Sequence, residues 1–93
     1  MKIHAARRLL AADMTLRNLL NIDGDLISLH GNRAQYKLTT ALYKAMQILD
    51  KRLGSHKEGK QGSTDIYVWE VPNLGVCIYS PSGGDPTLEI YDR

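Results

Sequence analysis

The sequence predicts a single α+β domain in chain order α-β-β-α-β-β-β, with a mainly antiparallel sheet and helices packed on it. Three observations predict it. Apolar residues recur at helical spacing over 3–20 and again over 40–53. Residues 26–38 alternate around a Gly-Asn pair in the pattern of a two-residue hairpin. Residues 66–71 and 76–80 are short runs rich in β-branched and aromatic side chains, bounded by Pro, Gly and Asn. At 93 residues, 43% hydrophobic and 24% charged, the chain has enough for one small core and not for two.

The first helix rests on Ile3, Ala6, Leu9, Leu10, Leu16, Leu19 and Leu20, with Arg7, Arg8, Arg17 and Asn18 between them. Asp13 and Thr15 compete for backbone hydrogen bonds, so the stretch reads as one helix or as two pieces with Asp13 capping the second. Asn21-Ile22-Asp23-Gly24-Asp25 ends it in turn residues. In the hairpin, Gly31 supplies positive φ at the first turn position of a type II′ turn. That turn pairs Leu29 with Ala34 and Ile27 with Tyr36 on one face, and His30 with Arg33 and Ser28 with Gln35 on the other. Apolar meets apolar and polar meets polar.

The second helix spans 40–53, capped by Thr39 or Thr40, with Leu42, Ala45, Met46, Leu49 and Leu53 in one stripe and Gly54 at its stop. Residues 54–64 contain nothing to bury and read as a mobile loop. In the strands that follow, Ile66 and Val68 point one way and Tyr67, Trp69 and Val71 the other. Likewise Val76 and Ile78 oppose Cys77 and Tyr79. Strands apolar on both faces need cover on both sides. The second helix serves one side, and the first helix or a second chain serves the other.

Charge is unevenly distributed. Residues 1–60 hold eleven Lys/Arg against five Asp/Glu, whereas residues 61–93 hold one Arg against five Asp/Glu. The fold either presents a basic end and an acidic end or interleaves the two signs on its surface. The single cysteine, Cys77, leaves no internal disulfide framework and suits a reducing compartment. No apolar run approaches the ~20 residues that span a bilayer, and Arg7 and Arg8 interrupt any secretory leader. The expectation is a cytoplasmic protein with no membrane partner.

Several chemistries are suggested and then withdrawn. Gly54 to Gln61 nearly spells a phosphate-binding loop, but Gln61 stands where a magnesium-binding hydroxyl is needed. The helix precedes and the strand follows, which is the reverse of that motif. Cys77 with His4, His30 or His56 would be needed for a nucleophilic dyad, yet Cys77 lies mid-strand among apolar neighbours. The histidines and the cysteine have no zinc-ligand spacing, and His56, among lysines, is expected to stay neutral through like-charge repulsion. The sequence thus points to no catalytic residue, metal or cofactor.

The stretch from Thr39 onward carries Leu42 and Leu49, then Leu53-Gly54, Ile66-Tyr67-Val68-Trp69-Glu70, Leu74-Gly75-Val76 and Ile78-Tyr79. Over residues 39–80 this resembles small bacterial helix-then-hairpin domains, both the SmpA/BamE-like envelope domains and uncharacterised immunity-type proteins. The chain departs from that pattern in having no lipoprotein signal with its lipidated cysteine and in a longer, more basic segment at 55–63. The resemblance implies a non-enzymatic module that works by contact.

The expected function is therefore a small protein-binding module, of inhibitor, immunity or antitoxin type, acting by surface occlusion on a protein partner or as a homodimer. Against a nuclease, Asp85, Glu89 and Asp92 would be the contact, standing in for phosphates. Against an acidic protein, the contact would be Lys51, Arg52, His56, Lys57 and Lys60. The alternative is a nucleic-acid binder using that same basic segment, 51–60, although it lacks an aromatic side chain to stack on bases.

Overall fold

The computed structural model describes the backbone of residues 3–93 and the side chains from Leu9 onward. The stripe positions Ile3 and Ala6, and the side chains of His4, Arg7 and Arg8, lie outside the described residues. Helix α1, Ile3–Met14, runs into one π-helical turn, Thr15–Leu19, in which the Leu20 N–H donates to the Thr15 carbonyl at 2.9 Å. Asp13 does not break the helix. Its carboxylate accepts a hydrogen bond from the Tyr36 hydroxyl instead. The π turn shifts the helical phase by one residue. Leu16 and Leu20 are consequently buried, while Leu10 and Leu19, expected on the apolar stripe, face out.

Strands β1 (Gly24–His30) and β2 (Arg33–Leu38) form the expected hairpin, with Gly31 at φ +56. Leu29 faces Ala34, Ser28 faces Gln35 and His30 faces Arg33. Beyond Ser28 the register slips: Leu26, not Ile27, faces Tyr36, because Ile27 is the extra residue of a β-bulge. Helix α2, Leu42–Leu53, buries Ala45 and Leu49. Neither threonine caps it. Thr40 Oγ1 accepts the Asp23 N–H at 2.9 Å, and the Thr39 and Thr40 N–H groups donate to the Asp23 carbonyl, tying the two helix-flanking turns together.

The segment expected as a loop, 54–64, contains a strand, β3 (Lys57–Gln61). It pairs with β4 (Thr64–Val71) across Gly62-Ser63, where Gly62 takes φ +61 in the same role as Gly31. Strands β5 (Leu74–Pro81) and β6 (Thr87–Tyr91) follow. Among the described residues the sheet thus has six strands where the sequence predicts five, all antiparallel, in the order β1-β2-β6-β5-β4-β3. The first hairpin joins the others through β2 and β6.

Both helices pack on the same face of this sheet. Leu16, Leu20, Ala45 and Leu49 meet Ala34, Tyr36, Trp69, Val76, Ile78, Leu88 and Ile90 in one core. The first helix does not cross to the second face, and no described element of the chain covers that face. A chain this short builds one two-layer core, and the buried residues of both helices go into it.

Candidate functional site

The helix-free face follows from strand alternation, since residues directly opposite in the register point to the same side. It carries Ile66 and Val68 on β4, Cys77 and Tyr79 on β5, Glu89 and Tyr91 on β6, and Arg33 and Gln35 on β2. The apolar part lies toward β4 and β5, where Ile66, Val68 and Tyr79 are half-buried by their own neighbours and Cys77 is buried.

Toward β6 and β2 the face is a polar lattice. The Arg33 guanidinium ion-pairs with Glu89 and lies 4.6 Å from the centre of the Tyr91 ring. The Tyr91 hydroxyl donates to Glu70 Oε2 at 3.2 Å, and Arg93 Nε stands 3.5 Å from the same oxygen. The Tyr91 ring lies across Gly75 so closely that a Cβ at Gly75 would fall 2.2 Å from its Cε2 and Cζ. Gly75→Ala should therefore evict Tyr91 from Glu70 and Arg33, at about 1–3 kcal/mol. Urea unfolding measures this. If the steric reading holds, the same substitution in a Tyr91→Ala background costs clearly less.

Burial pushes the Cys77 thiol up from its ordinary range, which keeps it protonated. Burial and then the hydrogen bond with Cys77 push the Tyr79 hydroxyl up to about 12. Neither His30 nor His56 approaches this thiol, and the side chain of His4 lies outside the described residues. His30 lies beyond β2 and β6, and His56 lies on the opposite side of the sheet.

His56 is the centre of a second constellation, on the helix side under the end of α2. Its Nδ1 is 2.8 Å from Asp50 Oδ1 and its Nε2 is 3.0 Å from Glu58 Oε1. Asp50 Oδ1 also accepts the Trp69 indole N–H at 2.9 Å and the His56 backbone N–H at 3.2 Å. The imidazole packs 5.3 Å from the Trp69 ring and edge-on to Tyr67 at 5.5 Å. The expected like-charge repulsion does not govern His56: hydrogen bonds to Asp50 and then Glu58 raise its pKa from the ordinary value, outweighing burial. Burial pushes Asp50 up, but the bonds from His56 and Trp69 prevail and hold it below its ordinary value. The neighbouring lysines in sequence gave the wrong sign because the groups that touch the ring are two carboxylates.

The five basic residues singled out in the sequence do not form one patch. Lys51 and Arg52 are exposed in the last turn of α2, and His56 is withdrawn between its carboxylates. Lys57 belongs to the open face, while Lys60 belongs to the helix side, 3.6 Å from Asp65. The acidic residues are likewise dispersed. Asp85, in the β5–β6 connection, stands 3.6 Å from Lys37, and Glu89 is held by Arg33. Asp92 is tied to the first hairpin turn: Asn32 Nδ2 donates to its carbonyl at 3.1 Å. Among the described residues, no group of three or more His, Cys, Asp or Glu side chains is placed to hold a metal ion.

One feature had no signal in the sequence. A groove of about 420 Å³ opens between α1 and the end of the sheet, lined by Ala12, Thr15, Leu19, Leu29, Leu74 and Ile90. Its lining comes from elements brought together only by the tertiary fold. Among the described residues no helix is long and apolar enough to cross a membrane. No protein-family model, curated protein or solved structure matches this chain.

Proposed function

We propose that this chain is a non-enzymatic protein-binding module, inhibitor-, immunity- or antitoxin-like, that acts in the cytoplasm by laying its helix-free sheet face over a surface of its partner. The observation that supports this reading is the placement of both helices on one side. It leaves Ile66, Val68 and Tyr79 at the surface beside an Arg33–Tyr91–Glu89 lattice. Tyrosine and arginine around an apolar centre are the residue types that anchor protein interfaces. The resemblance of residues 39–80 to immunity-type domains implies the same mode of action.

The test is capture from the native host with mass spectrometry, using the intact chain beside an Ile66→Glu variant and a Tyr79→Ser variant. One protein should be retained by the parent chain and lost, by about thirtyfold in affinity, with either change. Circular dichroism shows whether each variant keeps its fold. Retention that ignores both substitutions refutes the reading.

Nucleic-acid binding through segment 51–60 is the second reading. It is favoured by Lys51, Arg52 and Lys57, which are exposed and have no carboxylate partner among the described residues. It requires retention on DNA or RNA that falls steeply with salt and weakens across all sequences in a Lys57→Ala, Arg52→Ala variant. Absence of retention at moderate salt removes it.

A further inference from the structure

Strand β3 ends the sheet on the side away from β1, and all its side chains are exposed. The two-residue turn Gly62-Ser63 makes Gln61 and Thr64 the hydrogen-bonded pair beside it. By alternation, Gln61, Gly59 and Lys57 turn their backbone N–H and C=O toward β4, while Glu58 and Lys60 turn theirs outward from the sheet edge.

The geometry points to a second copy of this chain as the partner of that edge, added antiparallel with Gly59 facing Gly59 across a two-fold axis. A symmetric contact must bring outward-turned residues opposite outward-turned residues, which leaves three registers within the strand. Centred on Glu58, it sets Glu58 against itself. Centred on Lys60, it sets Lys60 against itself. Centred on Gly59, it sets Glu58 of each copy opposite Lys60 of the other, and Lys57 opposite Gln61. Opposite charges directly across a ladder stabilise it, and like charges weaken it. The register centred on Gly59 is the charge-complementary one.

Gly59 supports the same register independently. Its φ is not among the positive ones, and a Cβ built there meets nothing within 4 Å. Nothing in the single chain calls for glycine, and glycine mid-strand weakens a strand. On the axis it lets the strand meet its own copy with no repulsion. Edge lysines usually deter such pairing. In this register each lysine faces an acid or an amide. Glu58 and Lys60 also lie against His56 and Asp65, so the cross-strand pairs extend existing contacts at 3.0 and 3.6 Å. The contact uses the sheet edge and leaves the helix-free face clear, merging the two copies' faces into one surface.

Sedimentation velocity of the full chain over a wide concentration range should show reversible assembly to twice 10.4 kDa. Lys60→Glu should weaken association about tenfold, and the swap Glu58→Lys with Lys60→Glu should restore it. Under mild oxidation, Gly59→Cys should form a disulfide dimer, because facing strand residues lie within disulfide reach. Lys57→Cys and Gln61→Cys should each stay uncrosslinked alone and crosslink when mixed. The native thiol of Cys77 is buried and stays out of the reaction. A monomer at every concentration overturns the inference. So does a dimer indifferent to Lys60→Glu, or crosslinking at 59 no faster than at 57 or 61.

Discussion

Alanine at Trp69 is expected to cost about 3–5 kcal/mol of folding free energy. The residue is 1% exposed and is the largest side chain in the core. It stands on β4 where the sheet meets the end of α2, with its ring against His56 and its N–H on Asp50. Truncation opens a cavity in a domain whose total stability, at roughly 0.05–0.15 kcal/mol per residue, is of the same order. The variant should be largely unfolded near body temperature. Circular dichroism must follow the transition, because Trp69 is the only tryptophan. Trp69→Phe keeps one ring of the packing and loses the indole donor with the rest of the ring system, so its melting temperature should lie between those of the parent and the alanine variant. Equal melting temperatures for parent and alanine variant would refute the role assigned to Trp69.

The second large effect centres on Asp50. Asp50→Ala strips the buried indole N–H and both His56 donors of their acceptor, at about 1–3 kcal/mol. Asp50→Asn keeps an oxygen for the indole and should cost less. The two also differ from the parent in pH dependence. His56 has its folded pKa raised, so its contribution is complete below its unfolded value near 6.5 and is lost as pH rises through the folded value. Asp50 has its folded pKa lowered, so its contribution is present above its unfolded value near 3.8 and is lost as pH falls through the folded value. The parent should therefore be most stable in mildly acidic solution and lose stability as pH rises above 6.5 through the folded His56 value. Asp50→Asn should flatten most of that step. Denaturant midpoints across the range test this, together with a titration of the His56 ring by NMR. A decline that is unchanged in Asp50→Asn would assign it to another group.

What the sequence disclosed and what it concealed divide along physical lines. The β1–β2 turn was legible because Gly31-Asn32 and the apolar alternation specify one register together, as Leu29 opposite Ala34 bears out. The bulge at Ile27 was not, since an extra residue leaves both neighbours in a plausible alternation. Strand β3 buries no side chain, so hydrophobic periodicity had nothing to report. The available signal was Gly62-Ser63, the same turn chemistry already used for Gly31-Asn32. The double apolarity of β4 and β5 was visible, but a period-two pattern does not say which layer a helix joins. The packing of α1 beside α2 on Leu16, Leu20, Ala45 and Leu49 decided that. The His56 constellation was illegible because Asp50 arrives from a helix and Trp69 from a strand beyond it.

The position of β6 has a consequence for synthesis. It follows β5 in chain order yet stands third in the sheet, and Leu88 and Ile90 fill the seam between Ala34 and Tyr36 on one side and Val76 and Ile78 on the other. While a ribosome still holds residues 87–91, no strand ladder joins the β1–β2 hairpin to the three-strand ribbon β3–β5, and only helix packing links them. The β2–β6 ladder closes over a separation of 56 residues between Ala34 and Ile90, so joining the two halves of the sheet is a loop-costly step that waits for β6.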